Sequence, residues 1–204
     1  VTIAPPSDGT GPDPSPTEAT PTEATPEATP TSAPPLAGER VSTFDADDEG
    51  WTIAGDAQAG SIAPNFNADG GNPSGFISAD DDVTGGVWYF QAPERFGGDA
   101  TAAYGGTLEF DMLITEVVEP FDSPDVILAS EDRTLVFDLP ADPGTDWTHQ
   151  VVALEETAWL DSLTSAPPSQ EEFLSVLAAI SLLQIRGEYN TGPDTGSLDN
   201  VRLG

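Results

Sequence analysis

Residues Thr107–Ile114 place Leu108, Phe110, Met112 and Ile114 at every second position, with Glu109 and Asp111 between them. A helix would scatter these apolar residues around its circumference. A strand lines them on one face and leaves the acids on the other. Shorter runs of the same kind are Val126–Leu128, Leu135–Leu139, Gln150–Leu154, Leu182–Arg186 and Leu198–Leu203. Turn-forming pairs punctuate them: Gly70-Gly71, Gly85-Gly86, Gly97-Gly98, Gly105-Gly106 and Pro143-Gly144. One helix interrupts the strands. Pro167-Pro168 precede Ser169, and Glu172 three positions on completes a capping box. Phe173, Val176, Leu177 and Ile180 then fall on one face, so the helix is expected to end near Ile180. Many strands and one short helix predict an all-β, antiparallel β-sandwich.

The first 38 residues follow another rule. They hold 10 of the 20 prolines and eight threonines, without an aromatic or basic residue. A short repeat runs through them: Pro16–Thr20, Pro21–Thr25 and a shortened Pro26–Thr29. Such a composition buries too little apolar surface to offset chain entropy. It reads as an extended Pro/Thr-rich N-terminal tail, a stalk or a connector, of the sort that carries O-linked sugars. Two regions are therefore expected: a tail over 1–38 and a compact domain over 39–204. At the extreme end, Val1, Thr2 and Ile3 have the β-branched character of a strand that could add to a neighbouring sheet edge.

Charge narrows the function. Thirty-six Asp and Glu stand against five arginines, with no lysine, giving a formal charge of −31. Nucleic-acid binding needs a basic face and is excluded on that ground. Without cysteine there are no disulfides and no thiolate metal sites. No stretch reads as a membrane span or a signal peptide. The acidic excess suits a salty or calcium-rich exterior, or a secreted protein kept soluble by charge.

Further stretches carry a family resemblance. They are Phe44 to Gly50-Trp51, Trp88–Asp99, Tyr104–Phe110, Asp125–Leu128, Phe173–Leu177, Leu183–Tyr189 and Leu198–Val201. In this order they resemble the laminin B domain, also called laminin domain IV. The resemblance implies a jelly-roll sandwich like those of carbohydrate-binding modules, in an extracellular, non-catalytic module of the matrix or cell surface. Animal laminins set this domain among Cys-rich repeats. Their absence here points to a microbial surface protein.

Several residues are candidates for a site. Asp45-Ala-Asp47-Asp48-Glu49-Gly50 approximates a calcium loop, but Glu49 and the distal Asp56 depart from the pattern. The resemblance offers a better placement, since related jelly rolls hold a structural calcium between the first strand and an Asp near the last. Asp45 and Asp199 occupy those places, with Asp47 beside them. Asp80-Asp81-Asp82 reads as a polar turn. Sugar binding would use an exposed aromatic beside amides and carboxylates. Of the four tryptophans, Trp159, near the Pro-rich segment, is expected to be the exposed one; Trp88 and Trp147 are placed in the core. The loop Asn65–Asn72 would supply amides. His149, the one imidazole, has no nucleophile motif near it, so no enzyme is expected.

These features predict a secreted or surface-anchored structural or adhesion module. Its tail would act as donor strand or connector in self-association and filament growth. The alternative is a carbohydrate-binding module on a passive stalk, with surface glycans as partners.

Overall fold

The computed structural model describes residues 1–3, 38–57, 62–82 and 85–204. The chain divides into two units, Val1–Ala33 and Pro34–Gly204. In the first, Val1, Thr2 and Ile3 are exposed and belong to no strand. The Pro/Thr repeat lies outside the described residues.

The second unit is a sandwich of two antiparallel sheets. The first sheet contains β3 (Asn65–Gly71), β4 (Ser74–Asp80), β12 (Thr195–Leu203), β6 (Thr107–Ile114) and β9 (Thr148–Ala153), in that spatial order. β1 (Arg40–Ser42) also pairs with β12, next to β4 along the same edge. The second sheet runs β10 (Leu160–Asp161), β8 (Thr134–Phe137), β7 (Val126–Ala129), β11 (Leu182–Arg186), β5 (Tyr89–Gln91) and β2 (Thr52–Ala54). The alternation in β6 performs as the sequence requires. Leu108, Phe110, Met112 and Ile114 are all buried between the sheets. Among the described residues, no helix is long and apolar enough to cross a membrane.

Trp51, Trp88 and Trp159 fill the centre, ringed by phenylalanines in edge-on or tilted contacts. The indole of Trp51 donates to Ser42 Oγ at 2.8 Å, tying β1 to the core. Gly187 is required by close approach: a Cβ there would lie 1.9 Å from the Trp88 ring.

The helix α1 spans Gln170–Leu177. Its capping box forms as the sequence predicts, Glu172 N–H donating to Ser169 Oγ and Ser169 N–H to Glu172 Oε2. Its end comes earlier than expected. Ile180 is buried, but it exchanges two backbone hydrogen bonds with Gly98 (2.8 and 3.0 Å), which draws it out of the helix. Asn65–Gly71, expected as a loop, is a strand instead. β3 has no buried face of its own, and pairing with β4 holds it in place.

Candidate functional site

The hairpin between β3 and β4 folds its tip, Asn72-Pro73, against the outer face of the first sheet. There it meets Asp111 on β6 and Asp199-Asn200 on β12. Pairing between β12 and β6 is irregular between Asp199 and Arg202, and Asn200 has a φ of 50°. This irregularity aims the Asn200 amide at its neighbours. Asp111 Oδ2 accepts from the side-chain amides of Asn72 (3.1 Å) and Asn200 (2.8 Å), while its Oδ1 lies 2.7 Å from His149 Nδ1. Asn200 also donates to the Asn72 carbonyl. The other imidazole nitrogen faces Glu109 at 3.8 Å.

Asp199 lies beneath this lattice, fully buried. Its two oxygens accept the backbone N–H groups of Asn72 (2.6 Å) and Asn200 (2.7 Å). Burial raises its pKa from 3.8 to about 7. The two N–H groups oppose the rise, and the charges of Asp111 and Asp45 add to it. Asp45, which the family resemblance pairs with Asp199, contributes the smaller of these two charges. Asp45 itself is exposed and accepts from Thr43 Oγ1 at 2.9 Å.

Asp47 is turned to another task. Its carboxylate accepts the Glu49 N–H, and Asp48 accepts that of Gly50. Glu49 closes the loop by accepting from the N–H groups of Thr43 and Phe44, and it pairs with Arg95 at 2.5 Å. The carboxylates of Asp45, Asp111 and Asp199 are hard oxygen ligands, of the chemistry calcium takes, but both oxygens of Asp199 already accept backbone N–H groups. Among the described residues, however, no three His, Asp or Glu side chains are gathered to hold a metal ion.

The expectation for Trp159 is corrected. It is fully buried, packed between Phe137 (5.4 Å between ring centroids) and Phe173 (5.8 Å), with its indole N–H bonded to the Ala153 carbonyl at 2.8 Å. The Pro-rich segment leads into α1, and Phe173 on that helix closes over the ring. The partly exposed tryptophan is Trp147, expected in the core. It stands just before β9, meets Phe76 edge-on at 5.4 Å and donates to the Gly70 carbonyl at 3.0 Å. Asn67 donates to Ser78 Oγ on the neighbouring strand. A half-exposed aromatic pair thus lies on the same hairpin-covered outer surface as the Asn72, Asn200 and Asp111 cluster.

The model of the family Laminin B (Domain IV) matches residues 89–204, 116 of the 204 residues. The chain belongs to the laminin B family. The matched part of this laminin B domain contains Asp111, Trp147, His149 and Asp199, whereas Asp45 and Asn72 precede it. Human laminin subunit alpha-1 is 25% identical over 150 residues, which are 69% of this chain and 5% of that protein. The chain thus spans about a twentieth of that relative's length. The L4b domain of human laminin alpha-2 is similar in fold, with a TM-score of 0.66 at 18% identity, covering 80% of this chain and 95% of that one. The solution structure of CtCBM11 is similar at a TM-score of 0.50 and 15% identity, covering 81% and 94% of the two chains. The jelly-roll architecture implied by the sequence resemblance is therefore the observed one.

Proposed function

We propose that this laminin B protein is a non-catalytic structural and adhesion module working outside the cell, in a matrix or on a cell surface. Family membership carries the reading. His149 supports it, since its Nδ1 is bonded to Asp111 at 2.7 Å and its Nε2 faces Glu109 at 3.8 Å, so the imidazole is set among carboxylates. The chain self-associates, with Val1, Thr2 and Ile3 of one copy serving as donor strand or connector to the next. β9 supports strand addition. Among the described residues it pairs only with β6, and it presents Val151, 51% exposed, at the edge of the sheet. A calcium ion between Asp45 and Asp199 belongs to the same proposal, because a hard cation would offset the cost of burying the Asp199 carboxylate.

The test is electron microscopy and light scattering of the full chain beside one lacking residues 1–38, in low and molar salt, with and without calcium. Filaments from the full chain alone are expected. Monomers from both chains under every condition would refute assembly.

The half-exposed Trp147 and Phe76, with amides and a carboxylate nearby, favour a second reading: a glycan chain lying across the outer face of the first sheet. Retardation of the protein in gels containing soluble β-glucan or xylan, lost on Trp147→Ala, would establish it. Equal mobility with and without polysaccharide would remove it for those glycans.

A further inference from the structure

The outer face of the second sheet carries no ionised side chain across its middle. One residue from each of its six strands falls in a single cross-strand row: Thr52, Gln91, Gln184, Ile127, Val136 and Leu160, each directly opposite the next. All six are half-buried, while their strand neighbours Ile53, Phe90, Leu128 and Leu135 are buried in the core. The side-chain amide of Gln184 donates to that of Gln91 at 3.1 Å. Leu182, Ala129 and Thr134 form a second row beside the first. On the other flank the β6–β7 loop already covers the sheet. Arg186 stacks on Phe121 and donates to the carbonyls of Phe121 and Ser123, and the Tyr89 hydroxyl lies 3.3 Å from that of Ser123.

Apolar surface continues past β10. Leu163 is 92% exposed and shares a recess with Thr134. Its loop is fixed, because Asp161 accepts the N–H groups of Leu163 (3.0 Å) and Thr164 (2.9 Å) and pairs with Arg133. A leucine held in water on such a loop forgoes solvation energy that a covering surface would recover.

Charge decides what could cover this face. The chain carries −31, and the outer face of the first sheet shows Glu109, Asp111 and His149. Two copies meeting there would press acid against acid. The row on the second sheet carries no such penalty, and the exposed acids Glu131, Asp132 and Asp138 stand only at its strand ends. A basic partner would be drawn to acids elsewhere and would gain nothing from an uncharged face. A partner as acidic as the chain itself needs one.

We propose that a second copy of the chain docks on this face, sheet against sheet. A two-fold axis along the row sets each residue opposite its own equivalent, so that amides meet amides and Ile127, Val136 and Leu160 meet their counterparts. Six strands about 4.8 Å apart and about 13 Å long give a footprint of roughly 350 Å2 per copy. A stable complex uses about 800 Å2 per partner, so the pairing is weak and reversible. The inference goes beyond the assembly reading, because it uses neither the tail nor the edge of β9, and either can fail alone.

The test is sedimentation equilibrium of the full chain from about 10 μM to about 1 mM, in low and molar salt. A dimerisation step is expected, about tenfold tighter in molar salt, which screens the repulsion between acidic copies. Val136→Asp and Gln184→Glu should each weaken it at least about tenfold by setting like charges opposite one another, with circular dichroism and tryptophan fluorescence unchanged. Val151→Asp, which blocks the edge of β9, should leave the step intact. A chain that stays monomeric up to about 1 mM in molar salt would overturn the proposal. So would a dimer insensitive to both face variants, one abolished by Val151→Asp, or one that molar salt weakens.

Discussion

Glu188→Gln separates the charge of a buried acid from its shape. Glutamine keeps an oxygen for the Trp88 N–H, which Glu188 Oε2 accepts at 3.2 Å, and removes the charge that Asp81 and Asp194 oppose. In the folded wild type the carboxyl titrates near 7 instead of 4.5. The folded state thus binds an additional proton between these values, and stability falls as pH rises through that window. The full displacement corresponds to at most about 3 kcal/mol. The pocket that Glu188 lines opens to solvent, and screening reduces this to about 1–2 kcal/mol. Urea unfolding followed by tryptophan fluorescence at steps from pH 5 to 8 would measure it. The variant's stability relative to wild type should climb by that amount across the range. Asp199 titrates in the same window in both proteins and cancels in the difference. An offset that stays constant from pH 5 to 8 would refute the assignment of this proton to Glu188.

Two further outcomes are expected. Trp159→Ala should destabilise the fold by about 3–5 kcal/mol in urea, because it empties the space between Phe137 and Phe173. A loss below about 1 kcal/mol would mean that the ring is not part of the core. Chelation should lower Tm by several degrees, and Asp199→Asn should abolish the response to added calcium. A wild-type Tm indifferent to both chelator and calcium would end the calcium proposal.

What the sequence revealed depended on whether the cause was local. In β6 the four alternating apolar residues are the ones buried between the sheets, and the Ser169–Glu172 box acts within one turn, so both could be read from neighbouring residues; the burial of Asp111 on the opposite face could not. The β3–β4 hairpin could not. Asn65–Gly71 is polar and held by pairing, while Asn72 bonds to residues far along the chain, Asp111 and Asp199. The Trp159 expectation failed for the same reason: its cover comes from β8 and α1, not from the adjoining segment. Asp45 and Asp199 were paired from the family resemblance, since the loop pattern at Asp45–Gly50 does not point to Asp199. Asp81 reads as part of a polar turn, and nothing local marks Glu188 or Asp194 as buried acids. Their burial depends on the β4–β5, β6–β7 and β11–β12 loops converging, which no local pattern records.

The pairing of Arg40 with Leu203 has a mechanical consequence. Because β1 and β12 run antiparallel, the chain enters and leaves the sandwich at neighbouring points of one edge. Tension applied at these two points would open the β1–β12 ladder like a zipper, loading its hydrogen bonds one at a time instead of all together. β1 is only three residues long, so it would yield first, while β12 would remain clamped between β4 and β6. Under load, such a module would lengthen by a short, recoverable step before its core was threatened.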